Sequence, residues 1–140
     1  MIVAINKIGS KQAKADISIL PEVDRFLQYA YRWRNAKMRI YASDMKLQVH
    51  SDASYLSESK SRSRAGAYMF LGSHNPGQKP NAAILFLSTI IVTVVNSAAA
   101  AEYAALFITA QAATSLRLTL SDLGYPQDAT TIICDNECAV

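Results

Sequence analysis

The sequence predicts an α/β chain of the α+β type, in which an amphipathic helix precedes a mixed sheet and one long helix. Three observations carry that reading. Apolar residues recur with helical spacing at Val23, Phe26, Leu27, Ala30 and Tyr31. The period then falls to two, with Leu47 and Val49 on one face of a run that ends at Ser51-Asp52. An alanine-rich stretch over 98–123 follows, and after it a short apolar run at 130–134. A period near 3.6 marks a helix with one buried stripe, and a period of two marks a strand with one buried face. Helix, several strands, long helix and a last strand is the order of an α+β or mixed α/β domain.

Each element has its local justification. Pro21 opens the first clear helix, whose polar face carries Asp24, Arg25, Gln28 and Arg32. Its early acids, Glu22 and Asp24, and late bases, Arg32 and Arg34, complement the helix dipole. Tyr29, Tyr31 and Trp33 read as packing residues of this helix rather than as a base-stacking platform. Before it, residues 7–14 read as helix or loop, with Gly9 as a break. Residues 37–42 read as a short strand and Ser43-Asp44 as a turn, with a second strand over 45–51. Residues 55–64 are polar and loop-like, and Ala65 to Leu71 form a third strand ending at Gly72. Asn75-Pro76-Gly77 is a turn signal. Residues 83–95 hold one or two further strands. Asn96 or Ser97 caps the long helix, which Gly124 and Pro126 close. Its expected buried stripe is Tyr103, Leu106, Phe107, Ala110, Ala113, Leu116, Leu120 and Leu123.

Composition narrows the function. A hydrophobic fraction of 51% with 18% charged residues, in 140 residues, suits one ordinary globular domain or a small domain with an appendage. The net charge is +3, but residues 1–45 hold eight Lys or Arg against four Asp or Glu. A basic N-terminal arm beside a slightly acidic body suits a polyanionic partner. Cys134 and Cys138 read as reduced thiols of an intracellular, non-secreted protein, because a zinc site takes about four ligands and His50 and His74 lie far away. His50 is expected to face outward from its strand, without a catalytic role. Residues 81–101 carry no charge and are long enough to span a bilayer, but Asn81, Ser88, Thr89, Thr93, Asn96 and Ser97 interrupt them. A strand, turn and helix start is the better description, so no membrane partner is expected. There is no nucleophile elbow, phosphate-binding loop or dinucleotide fingerprint.

Three acids stand where a metal centre would draw them. Asp52 ends the alternating run, Glu102 lies in the first turns of the alanine-rich helix, and Asp135 ends the last apolar run. Each also has a local reading, as a turn residue, a helix-dipole partner or a cap. Only folding could bring them together, and hard divalent cations seek such oxygen ligands.

The string from Leu47 to Gly72, LQVHSDASYLSESKSRSRAGAYMFLG, resembles the start of the ribonuclease H domain of copia-type retrotransposon polyproteins. The carriers are Ser51-Asp52-Ala53, the turn Ser61-Arg62-Ser63-Arg64, and then Gly66, Tyr68 and Phe70. Asn96 to Leu106, NSAAAAEYAAL, resembles the helix start of that family, and Ile133 to Val140, ICDNECAV, its strand-end C-D-N-x-x-A motif. Residues 1–45 are similar to the tail of the reverse transcriptase and its connecting segment, which makes 46–140 a partial ribonuclease H-like domain. The resemblance implies a ribonuclease H-like mixed sheet and hydrolysis of the RNA strand of RNA–DNA hybrids by two-metal catalysis. Asp52, Glu102 and Asp135 match the metal-binding carboxylates, with Mg²⁺ or Mn²⁺ as cofactor. Arg62 and Arg64 are candidates for phosphate contacts, although a charged turn is equally often simply solvated. An RNA–DNA hybrid is the implied substrate, and the reverse transcriptase portion of the parent polyprotein an implied partner.

Two departures define the alternative. Ala100 stands where the family has a second glutamate. The family domain also continues past its C-D-N motif, through further helices, to a fourth acid and a histidine that these 140 residues do not include. The competing expectation is therefore a C-terminally truncated, inactive remnant with at most weak nucleic-acid binding.

Overall fold

A computed structural model describes residues 1–73 and 81–136. The chain divides into two compact units, Met1–Met38 and Arg39–Val140.

In the first unit, α1 (Ile2–Ser10) runs through Gly9, which does not break it. Two single 3₁₀ turns, Gln12–Lys14 and Ile17–Ile19, lead to α2 (Leu20–Arg32). The Asp16 carboxylate accepts from the Ser18 backbone N–H at 2.7 Å and so caps the second turn. The Ser18 hydroxyl, and with it that backbone bond, holds the Asp16 carboxyl below its ordinary value. Proline at the start of α2 costs no hydrogen bond, because the first N–H groups of a helix have no internal acceptor. Val23, Phe26 and Ala30 form its half-buried stripe, whereas Leu27 and Tyr31, expected on the same face, are exposed.

In the second unit, β1 (Lys46–Glu58), β2 (Arg62–Gly72), β3 (Leu85–Ile90) and β4 (Ile132–Cys134) form a sheet in the order β3-β2-β1-β4. β1 pairs antiparallel with β2, β2 antiparallel with β3, and β1 parallel with β4. The helix α3 (Ala98–Asp122) packs on β1 and β2. This is a mixed α/β architecture with one long helix, as the sequence predicts at that level. Among the described residues no helix is long and apolar enough to cross a membrane, and the uncharged stretch 81–101 divides between β3, an irregular segment and the start of α3.

The core follows from alternation. Leu47 and Val49 on β1 and Ala67 and Met69 on β2 are buried together with Ala113 and Leu120 of α3. A second cluster of Ala65, Ile91, Ala101 and Ala105 lies toward the helix N-terminus. Between them, the Ser51 and Thr109 hydroxyls bond at 3.1 Å, which satisfies two buried polar groups across the sheet–helix interface. Gln127 places β4 beside β1: its side chain accepts from the Leu47 N–H at 2.9 Å and donates to the Met45 carbonyl at 2.9 Å.

Several expected elements differ. Residues 37–42 form no strand. Asn81 holds this segment instead, accepting from the Tyr41 N–H at 2.7 Å and donating to the Tyr41 carbonyl at 3.1 Å. The stretch 55–64, expected as loop, is mostly strand. β1 continues to Glu58 across an irregularity after Ser54, and Ser59–Ser61 makes the turn into β2. Polar side chains hid it, because one face of a hairpin tip is open to water. Lys60 and Ser61 adopt left-handed backbone there, with φ of 61° and 52°, where glycine would be the usual residue. Residues 91–95, though β-branched, are irregular, and Val92 and Val94 are exposed. The turn expected at Asn75-Pro76-Gly77 and the thiol Cys138 lie outside the described residues.

The face of α3 also differs from expectation. Ala101, Ala105, Thr109 and Ala113 are buried at intervals of four, whereas Tyr103, Phe107 and Leu123 are exposed. Small residues on the inner face let the N-terminal part of the helix lie close to the sheet, while Ala113 and Leu120 of the expected stripe are buried and Leu116 packs against the same core. Ala105 has no exposed surface, and Ala105→Leu is expected to cost about 1–3 kcal/mol through overpacking. A denaturant midpoint unchanged from the parent would show that the helix has room to move outward.

Candidate metal centre

Three elements meet at one end of the sheet. The parallel register pairs Ser51 with Cys134, so Asp52 and Asp135 each follow at the same level on neighbouring strands. The N-cap of α3 sets the third group. Ser97 Oγ accepts from the Ala100 N–H at 3.0 Å, which starts the helix at Ala98 and puts Glu102 in its second turn, over the end of β1.

Glu102 is only 6% exposed. Its Oε1 accepts from the Ala53 backbone N–H at 3.2 Å, and its Oε2 accepts from the Cys134 thiol at 3.6 Å. Burial pushes this carboxyl above its ordinary value. The two hydrogen bonds oppose that rise, and the negative charges of Asp52 and Asp135 add to it.

Among the described residues, Glu102, Cys134 and Asp135 could hold a metal ion, with one ligand atom from each lying within 4.8 Å of the others. Asp52 falls outside that cluster. It is exposed, in the strand phase opposite Ser51, and its cross-strand partner is Gly66, so no side chain stands beside it there. Its charge is nonetheless felt at Glu102. The structure thus brings two of the sequence-derived acids into one cluster and sets the third beside it.

The sequence marks Cys134 only as a reduced thiol within the C-D-N motif, with no part in the site, and does not point to the Ala53 N–H. The only available signal was the position of Cys134 beside Asp135, which gains meaning once β4 pairs with β1. Arg64 has a different place from a solvated turn. It is buried, its Nε donates to Glu58 Oε1 at 2.7 Å, and its Nη1 donates to the Ser88 carbonyl and hydroxyl at 3.1 Å each. Arg62 is half-buried at the start of β2. His50 is exposed, as expected for an outward-facing residue, and stacks on Phe70 with ring centroids 5.9 Å apart.

Comparison with protein-family models, with curated proteins and with solved structures finds no match.

The raised Glu102 carboxyl has a pH consequence. The unfolded chain ionises it at the ordinary value of 4.5, the folded chain only at higher pH. Across that window the unfolded state binds fewer protons, so this group's contribution to stability falls as pH rises. In chelator at neutral pH, Glu102→Gln is expected to melt a few degrees above the parent, with the difference vanishing in acid. Mg²⁺ should raise the parent's midpoint and leave the variant's unchanged. Thermal melts at two pH values check both points, and a variant that melts lower throughout would refute the burial argument.

Proposed function

We propose that the second unit is a retroelement-derived, ribonuclease H-like domain that hydrolyses the RNA strand of RNA–DNA hybrids. The observation that carries the reading is the convergence at Glu102: a buried carboxyl clustered with Asp135, 33 residues after it, while the charge of Asp52, 50 residues before it, is felt there. Burying an ionisable acid among like charges is unfavourable without a compensating cation, so the arrangement is better suited to binding one than to stability. The resemblance at Ser51-Asp52-Ala53, at the start of α3 and at Cys134-Asp135-Asn136 gives the reading its reaction.

Asp52, Glu102 and Asp135 would hold the divalent cations, Mg²⁺ or Mn²⁺. When bound, these would supply charge stabilisation and an activated water for in-line displacement at phosphorus. Hydrolysis there would join the water oxygen to phosphorus and break one bridging P–O bond, the proton lost by the water being balanced by the one the leaving oxygen takes from solvent. The Ala53 N–H and the Cys134 thiol orient Glu102 while its outer neighbours stay open to solvent. Exposed Asp52 and Asp135 are accessible to a polyanion that brings its own phosphate oxygens to the site. Selection of a hybrid would rest on backbone shape and the 2′-hydroxyl. Arg62 is the better candidate for a phosphate contact, because Arg64 is engaged within the fold. The reverse transcriptase portion of a parent polyprotein is the natural partner on this reading, and the compartment is intracellular.

The test is cleavage of an end-labelled RNA–DNA hybrid by the full chain in Mg²⁺ and in Mn²⁺. Cutting confined to the RNA strand, abolished by chelator, is expected. Folded protein that retains the hybrid in a mobility shift without cutting it would favour the inactive-remnant reading instead.

A further inference from the structure

We propose that the first unit binds single-stranded nucleic acid along one face of α2, through Arg25, Tyr29, Arg32 and Trp33. The inference is independent of the metal centre in the second unit. These positions follow one another by four, three and one residues, which places them on one side of a helix. Tyr29 and Trp33 are exposed at 50% and 56%, with ring centroids 6.4 Å apart. The Arg32 guanidinium lies 6.0 Å from the Trp33 ring centre, and that of Arg34 lies 4.8 Å from Tyr31, itself 71% exposed. Rings expected to pack inward are thus on the surface and interleaved with cations.

The charge of the unit matches such a ligand. Residues 1–38 hold seven Lys or Arg against three Asp or Glu. Two of the acids are engaged locally: Glu22 with Lys11 at 3.2 Å, and Asp24 with the Gln28 amide at 2.7 Å. An open cleft of about 450 Å³ between α1 and α2 extends the same face. Met1, Ala4 and Phe26 give it apolar walls, with Lys7 and Arg25 as its cations and Glu22, paired with Lys11, as its acid. An apolar cleft of this size with a few charged groups suits a small planar group such as a nucleobase with its phosphate.

The alternation of rings and guanidiniums decides the partner class. Bases in a single strand offer open π-faces to stack on Tyr and Trp, and the phosphates between them meet arginine. Bases within a duplex are already stacked. A helix lying on a membrane keeps its apolar stripe free and its cations on the other side. Here Val23, Phe26 and Ala30 are half-buried, and the exposed face mixes both kinds of residue.

Trp33 is the sole tryptophan, so its emission reports directly on the proposed contact. The full chain is titrated with a short pyrimidine oligonucleotide in chelator, so cleavage plays no part in the readout. Saturable quenching that weakens steeply with salt is expected. By anisotropy of a labelled oligonucleotide, Tyr29→Ala and Trp33→Leu should each lose about tenfold in affinity. Arg25→Gln with Arg32→Gln should flatten the salt dependence, and circular dichroism should be unchanged in every variant. Absence of quenching, or ring variants that bind like the parent, would overturn the proposal. So would a blue shift with anionic phospholipid vesicles but no response to the oligonucleotide, which would assign the face to a membrane surface.

Discussion

Asp52→Asn is expected to remove metal-dependent cleavage of an RNA–DNA hybrid, by at least on the order of 10²–10³-fold. The substitution keeps the shape of the side chain and removes its charge and one acceptor oxygen. Asp52 is exposed and has glycine as its cross-strand partner, so neither the core nor the sheet register depends on it. Its charge disfavours ionisation of Glu102, so neutralising it should leave the thermal midpoint equal to or slightly above the parent's in chelator. Lost activity with retained stability is the signature of a cation ligand. Cys134→Ser tests whether the third member of the cluster holds the cation or only orients Glu102. A serine hydroxyl can still donate to Glu102, and cutting should persist within severalfold. Cleavage that survives Asp52→Asn would remove this residue from the chemistry and leave the convergence at Glu102 without the reaction proposed for it.

The largest expected effect on stability lies at the tip of the β1–β2 hairpin. Glu58 and Arg64 form an ion pair at 2.7 Å whose side chains are only 10% and 6% exposed. Removing one partner of a buried pair leaves the other charge uncompensated, typically at a cost of about 3–5 kcal/mol. Glu58→Ala should fall near the lower end, roughly 3 kcal/mol, because the Ser88 carbonyl and hydroxyl still accept from Arg64. Chemical denaturation reads this as a lower midpoint with an unchanged slope. A loss below about 1 kcal/mol would mean that the pair behaves as an exposed one. Replacing both residues with apolar ones of similar volume should recover much of the loss, since it removes the stranded charge.

Much of the secondary structure was legible because its causes are local. The amphipathic period of α2, the Ser97 cap of α3 and the closing Gly124, which sits at a left-handed φ of 89°, are each decided within a few residues. So is the alternation that buries Leu47 and Val49. The buried face of α3 was not legible in the same way. Large apolar residues and small ones both recur with helical spacing; Ala113 and Leu120 are buried as expected, but contact with the sheet selects Ala101 and Ala105 in place of Tyr103 and Phe107. Strand propensity likewise misled at 91–95, where β3 ends at Ile90 and only the Ile91 N–H still bonds to Ser63 of β2 among the described residues, and at 55–64, where polar residues form strand.

For the candidate site the division is similar. The sequence by itself determined which residue types stand at the strand ends and at the helix start, and hence that Asp52, Glu102 and Asp135 were the acids to follow. The tertiary structure decided how near they come. The parallel register of β4 on β1 brings Cys134 and Asp135 to Glu102, and the turn of the β1–β2 hairpin brings the Arg64 side chain to Glu58, although the strand register pairs Arg64 with Ser54. The β1–β4 register joins groups tens of residues apart, and the Glu58–Arg64 pair, six residues apart, forms only because the hairpin turns between them, whereas periodicity and capping act within one or two turns. No local pattern encodes which distant partner a side chain will meet.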